Sequence, residues 1–359
     1  MNYHIQSNTA KSAYLQLYEQ LRRDITNGSF PFGTKLPSKR LMAEELGISV
    51  ITVEHAYNIL CDEGYIEARQ RSGYYAAYRQ GDLLAFPEEP AEHFPKPAPN
   101  SSHAPFPFSQ LARTMRRVLQ DYGEQILVKS PNHGCQELRS AISAYLRRSC
   151  GMEVSPRQII IGSGAEYLYG LVLQLLGNNI PYGLEDPSYP QIRRVYEANH
   201  TACRMLKMGS DGILSSELSA TDAGVLHVTP FHSYPSGITA SASKRWEYLD
   251  WAKRMNGYIV EDNFDSELTV SAKNEDTLFS LSAEGRVIYL NTFSRTIAPS
   301  MRVGYLVLPE TLLDRFEEKL GFYSCTVPVF EQYVLASLIS DGSFERHINR
   351  IRRKRRKAK

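Results

Sequence analysis

The sequence predicts a multidomain chain. A small α+β unit of three helices and a hairpin comes first, and a larger α/β unit follows. Three features point there. Helical periodicity in the first sixty-odd residues gives way to period-two alternation over residues 65–78. Seven of the chain's 19 prolines then fall within residues 79–108. Proline fixes φ and lacks an amide donor, so neither a helix nor a central strand runs through that spacer. Beyond it, apolar strands and helices alternate, which is the pattern of a mainly parallel sheet covered by helices. At 359 residues the chain is long enough for the larger unit to bury a full core.

In the first unit, AYLQLYEQLRRDITNG sets Leu17, Leu21 and Ile25 on one helical face and stops at Gly28. LPSKRLMAEELGIS opens a second helix at the N-cap Ser38 and closes it at Gly47. A tight turn leads to SVITVEHAYNILCDEG, capped by Ser49, with Val53, Ala56 and Leu60 inward. YIEARQRSGYYAAY alternates, turns at residues 70–73 and alternates again. Helix, tight turn, helix and hairpin make the winged helix-turn-helix plan, whose second helix of the pair enters the major groove of double-stranded DNA. Ser49, Thr52 and His55 then reach base edges or phosphates. Ser38 and Arg40 sit at a helix N-terminus that favours phosphate. Arg71, Ser72 and Gly73 form the wing tip. Residues 1–80 hold nine Lys/Arg against eight Asp/Glu, so DNA affinity needs a local patch or a dimer. A plain helical domain with an ordinary hairpin stays open on pattern alone.

In the second unit, QIIIGSGAEYLYGLVLQLLG reads strand, Gly-Ser-Gly turn, helix. That turn aims helix amides and the Ser163 hydroxyl at one point, an anion cradle, although a strand-to-helix turn uses glycine for its own reasons too. EDPSYPQ holds Tyr189 between prolines. GYIVEDNFDSEL carries Asp262 at the carboxyl end of a strand, where open α/β sheets bind ligands. VIYLNTFSRTIAPSMRVGYLVLP reads strand, polar turn with Arg295 and Arg302, strand. Together they suit a planar ligand with a ring nitrogen and a phosphate, as in pyridoxal phosphate.

The net charge of +2 hides an asymmetry. Residues 345–359 hold nine Lys/Arg and one Glu, leaving 32 Lys/Arg against 38 Asp/Glu elsewhere. The body is therefore mildly acidic, and the chain as a whole is not a polycation for nucleic acid. Five scattered cysteines without a Cys-x-x-Cys or zinc spacing indicate free thiols in a reducing cytoplasm. The start MNYHIQSNTAKSAY lacks the apolar core of a signal peptide. The longest apolar run, LYGLVLQLLG, is too short to span a bilayer.

KLPSKRLMAEELGISVITVEHAYNILCDEGYIEARQRSGYY resembles the DNA-binding domain of the GntR family of bacterial regulators over about residues 11–78. Val50 and Ile51 depart from it, standing where many members carry polar or basic residues. The order SGAEYL, EDPSYP, HSYPSGI, VEDNFDSE, FSRTIAPSMRVGY resembles fold-type-I aminotransferases. Together they resemble the MocR branch of the GntR family, a winged helix-turn-helix fused to a fold-type-I, pyridoxal-phosphate-dependent transferase-like domain. The resemblance implies domains at 11–78 and 109–345, a spacer at 79–108 and a basic, truncated end at 346–359. It implies Ser163, Gly164 and Ala165 at the cofactor phosphate, Arg302 near it, Tyr189 on the pyridine ring and Asp262 at its nitrogen. Phe264 stands where a tyrosine hydroxyl is usual, and Arg295 in the place of the Schiff-base lysine.

The last departure decides the chemistry expected. A Schiff base needs a neutral amine, and arginine, with a pKa above about 12, does not supply one. No catalytic residue is therefore assigned, and cofactor binding is expected to be non-covalent and weak if it occurs. Lys244 and Lys273 lie in polar, loop-like contexts and are no substitutes. The family domain runs on for roughly a hundred residues past this end, so a truncated or frameshifted end that lacks the small domain is expected, with a DNA-contacting or otherwise polyanion-binding tail as the other reading of the basic run. The function expected is a cytoplasmic, homodimeric transcription regulator with an operator, no membrane and an amino-acid or amine effector sensed through pyridoxal phosphate. A working aminotransferase with a vestigial DNA-binding domain, and a decayed product in which only the first domain folds, are the alternatives.

Overall fold

The structure is a computed structural model that describes residues 3, 5, 11–70, 72–78, 106–264, 266–268 and 276–358. The chain divides into two compact units, residues 1–98 and 99–359. Most of the expected spacer, and Arg71 and Lys273, lie outside the described residues.

The first unit, the head, contains α1 (Ala13–Thr26), α2 (Lys39–Leu46), α3 (Val50–Asp62), β1 (Ile66–Arg69) and β2 (Gly73–Ala76). Leu17, Leu21 and Ile25 are buried on one face of α1, against Val53, Tyr57 and Leu60 of α3. The caps are those expected. Ser38 Oγ accepts the Leu41 amide and Ser49 Oγ the Thr52 amide. Gly47 ends α2 at φ 64°, a left-handed conformation in which a side chain would be strained. The strands β1 and β2 form an antiparallel hairpin, with Arg69 opposite Gly73.

The second unit, the effector unit, starts with α4 (Phe108–Tyr122) and α5 (Gln136–Cys150). Then come β3 (Ile159–Gly162), α6 (Ala165–Leu176), β4 (Tyr182–Asp186), α7 (Pro190–Ala198), β5 (Cys203–Lys207), α8 (Ser215–Ala220) and β6 (Val225–Val228). α9 (Ala242–Arg254), β7 (Tyr258–Asp262), α10 (Leu278–Leu281), β8 (Val287–Thr292) and β9 (Gly304–Val307) follow. α11 (Leu313–Leu320), α12 (Val329–Ser340) and α13 (Ser343–Ala358) complete it. The sheet has the order β3-β9-β8-β7-β6-β4-β5. It is parallel except for β9, which runs antiparallel to both β3 and β8.

Period-two alternation divides the sheet's apolar residues between two cores. Ile160, Leu184, Val260, Ile288 and Leu306 pack under α6, α7 and α11. Ile159, Ile161, Tyr289 and Val307 pack with α5, α12 and α13 on the opposite face. Since Val260 faces α6, Asp262 at the end of the same strand faces α6 as well.

The boundary expected at 345/346 falls inside α13. Phe344, Ile348 and Ile351 of that helix are buried. Arg352 Nε donates to the Glu267 carbonyl at 2.6 Å and Arg355 Nη1 to that of Leu268 at 3.0 Å. Part of the basic run is thus packed structure. The loop-like setting expected for Lys244 is corrected: it lies in α9 and is 6% exposed. Its ammonium donates to the Ile213 carbonyl, Ser215 Oγ and Glu247. An ammonium leaves water only with such a full set of acceptors.

Candidate functional site

The head presents the expected DNA-facing residues on its surface. Ser38, Arg40, Ser49, His55, Ser72 and Gly73 are exposed and Thr52 is half-buried. Besides the cap Ser38, four of them are already engaged within the unit. Ser49 Oγ and Thr52 Oγ1 lie 2.8 Å apart, and His55 meets Tyr14 of α1 edge-on with centroids 5.6 Å apart. Ser72 Oγ bonds Tyr75 Oη at 2.6 Å, which braces the wing.

The effector unit has a cavity of about 370 Å³ at the carboxyl ends of the strands. Ala165, Glu166, Tyr169, Tyr189, Asp262, Phe264, Arg295 and Arg302 are in its wall. Six of the eight residues expected at the cofactor therefore converge: Ala165, Tyr189, Asp262, Phe264, Arg295 and Arg302. Ser163 and Gly164 form the turn just before α6. Gly164 is there for space and conformation together. Its φ is 94°, and a Cβ would sit 2.7 Å from an Arg302 guanidinium nitrogen. No side chain caps α6, so its first-turn amides are left for another acceptor. Arg302 pairs with Glu166 from the first turn of α6.

Asp262 is 1% exposed and is the centre of a buried polar chain. Tyr169 Oη donates to its Oδ2 at 2.5 Å, and the Phe264 amide lies 3.3 Å from Oδ1. His227 Nε2 lies 3.4 Å from Oδ2, and Tyr196 Oη meets His227 Nδ1 at 2.6 Å. A carboxylate only accepts. The consistent assignment therefore puts the histidine proton on Nε2 and has Tyr196 donating to Nδ1. Burial first, and the Asp262 charge with it, hold both phenols well above their ordinary pKa, so both stay proton donors.

Sequence reading missed Tyr169, Tyr196, His227 and Glu166. Tyr169 was findable, because it lies one turn after Ala165 and shares the face that meets the strand ends. His227 sits inside an otherwise apolar strand, and nothing in its local sequence marks its partner.

Elsewhere in the lining, the Arg295 guanidinium carbon is 5.4 Å from the centroid of the Phe264 ring, a cation–π distance. The two cavity residues expected to depart from the aminotransferase pattern are thus packed on each other. Tyr189 meets Tyr234 edge-on at 6.2 Å, at the more exposed side of the cavity.

Comparisons with known proteins agree with this architecture. Residues 13–75 match the family described as "Bacterial regulatory proteins, gntR family", and residues 102–359 match "Aminotransferase class I and II". The HTH-type transcriptional regulator YdeL of Bacillus subtilis is 35% identical over 96% of this chain and 77% of its own length. The pyridoxine biosynthesis transcriptional regulator PdxR of Corynebacterium glutamicum is 31% identical over 94% of the chain and 75% of its own. The probable rhizopine catabolism regulatory protein MocR of Rhizobium meliloti is 29% identical over 94% and 74%. Among solved structures, the α-aminoadipate aminotransferase LysN of Thermus thermophilus superposes with a TM-score of 0.60 at 26% identity. That match covers 69% of this chain and 64% of LysN. The chain belongs to the MocR-type branch of the GntR family, DNA-binding transcription regulators that join a GntR helix-turn-helix unit to an aminotransferase-like unit.

Proposed function

We propose that the effector unit binds pyridoxal phosphate, or a closely related phosphorylated pyridine, without a covalent bond, and that occupancy changes the affinity of the head for its operator. The observation that carries this is the cavity wall, where the buried Asp262 lines the same space as Arg295, which the resemblance puts in the place of the Schiff-base lysine. The residues present fit such a ligand. Asp262, held by Tyr169, suits a protonated ring nitrogen. Gly164 leaves room where a Cβ would strike Arg302, and the uncapped α6 amides with Arg302 suit a phosphate.

When bound, pyridoxal phosphate supplies an aldehyde and an electron-withdrawing ring. Arg295 offers that aldehyde hydrogen bonds and a positive charge, not an attacking lone pair, and it does not shuttle protons. Turnover is therefore absent in this reading. A phosphate that takes Arg302 displaces Glu166, which makes binding weaker than the donor set alone suggests. PdxR, named as a regulator of pyridoxine biosynthesis, supports the ligand class. Two copies of the chain would place two reading helices on two half-sites, so a homodimer belongs to the same proposal.

The test mixes the full chain with pyridoxal phosphate and measures binding by equilibrium dialysis, with and without borohydride. Expected is reversible binding that dialyses away after reduction, and a changed affinity for DNA selected by the chain. The Arg295→Lys variant should instead retain the label at position 295. A wild-type lysine labelled by reduction, or turnover with an amino acid and a keto acid, would refute the reading. Light scattering of the DNA-free chain reads the dimer.

A further inference from the structure

The reading helix has an unusual composition for its task. The α3 sequence VITVEHAYNILCD contains no lysine or arginine. The commonest specific contact in the major groove, a cation bidentate to guanine O6 and N7, cannot come from it. Its Glu54, the side chain able to accept from cytosine N4, is held by Lys39 Nζ at 2.5 Å.

What the first turn offers is apolar. Ile51 is 68% exposed and Val50 41%, whereas Val53 two residues on is fully buried in the core of the head. Ile51, His55 and Asn58 follow one another at helical spacing and are all exposed, so they form one stripe. His55 in that stripe is taken up by Tyr14. Ile51 leads the stripe at the N-terminal end, the part of a reading helix that meets base edges. The cation nearest this surface in sequence, the exposed Arg40, belongs to α2 and suits the backbone.

We propose that Ile51, with Val50 beside it, reads the 5-methyl groups of thymines in the operator's major groove. Thymine alone among the four bases presents a methyl there. A β-branched side chain standing in water on the reading face gains by covering it, and gains nothing on the polar edge of a G·C pair. The half-site beneath the start of α3 is then specified as A·T by apolar contact. Phosphate contacts elsewhere on the head supply register and salt dependence.

The experiment uses the full chain and the duplex it selects from a random pool. Each thymine is replaced in turn by deoxyuridine, which removes the methyl and keeps every hydrogen-bonding edge. Loss of one buried methyl contact weakens binding roughly fourfold. That loss is expected at one or two thymines in each half-site. In Ile51→Ala the same replacement should change Kd by less than about 1.5-fold, because the partner of the methyl is already gone. The slope of log Kd against log salt should not change, since no phosphate contact is touched. Two results overturn the proposal. One is a selected site in which no replacement weakens binding by as much as about twofold. The other is a full penalty that persists in both Ile51→Ala and Val50→Ala. The deoxyuridine series uses the unaltered protein, so it stands whatever the variants do.

Discussion

The head and the effector unit carry their function in opposite ways. The residues of the head expected to meet DNA lie between Ser38 and Gly73, on caps, exposed helix faces and a hairpin. Its core of Leu17, Leu21, Tyr57 and Leu60 is fully buried. The cavity of the effector unit draws on residues from Ala165 to Arg302, and Asp262 sits among buried Tyr169, Tyr196 and His227. Function on a surface can change at small cost to the fold. Function at the end of a buried polar chain cannot, because each partner removed leaves another unsatisfied.

Leu21→Ala should give the largest effect, and in the head alone. A fully buried leucine costs about 2–5 kcal/mol when truncated. A unit of this size has little stability to lose. In calorimetry of the full chain the head's transition should fall steeply and DNA binding go with it, while the transition of the effector unit stays. Transitions that move together would break the contrast between the units.

Next in size is a pH effect confined to the effector unit. Glu185 on β4 is buried and accepts the Ser233 hydroxyl at 2.7 Å. Burial, with Asp262 nearby adding to it, pushes its pKa up to about 8. The folded chain thus holds a proton that the unfolded chain releases above its ordinary value of 4.5. The stabilisation is complete below that value and is lost as pH rises through about 8. Glu261 on β7, raised to about 7 by burial, has the same sign. Urea unfolding of the effector unit should therefore lose roughly 2–4 kcal/mol between pH 5 and 8 through Glu185, and Glu185→Gln should remove that slope. An unchanged slope in the variant would place the titration elsewhere.

The same contrast explains what the sequence disclosed. Ser38, Gly47 and Ser49 are local signals, because a cap acts within three residues and can be read at that range. Asp262 was legible because a carboxylate at the end of an apolar strand is out of place for packing. Tyr169 and His227 meet Asp262 across 93 and 35 residues of chain, through packing that no local pattern encodes. The packing of the basic helix was illegible for the opposite reason. Charge dominates the composition of residues 345–359, while Ile348 and Ile351 fix where the helix lies. The burial of Lys244 was missed because two of its acceptors, Ile213 and Ser215, lie far back in the chain.

Tyr169→Phe tests the buried chain with a smaller change. It removes one hydroxyl donated to a buried carboxylate and leaves the ring. Hydrogen bonds to charged groups contribute about 1.5–3 kcal/mol, and the loss should appear in the denaturation of the effector unit only. Ligand affinity should fall in the same variant, since Asp262 then holds its position with one donor fewer. A variant that binds ligand as before, with full stability, would make the Tyr169 contact incidental.

The smallest effect should come from Ser49→Ala, and it separates fold from function within the head. Ser49 Oγ accepts the Thr52 amide at 3.1 Å and contacts Thr52 Oγ1 at 2.8 Å. Losing a serine N-cap costs about 1 kcal/mol. Because Ser49 is exposed and outside the core, the midpoint of head unfolding should shift without loss of the native fold. DNA affinity should fall more than stability does, since the turn that frays is the one that presents Val50 and Ile51. Ser49→Asp sharpens the reading. Aspartate caps as well as serine and favours the helix dipole, so head stability should return to or above the starting value. It also brings a negative charge to a surface expected to face DNA phosphate, so DNA affinity should stay low, most of all at low salt. Stability and affinity that recover together in Ser49→Asp would mean that the start of α3 faces away from the duplex.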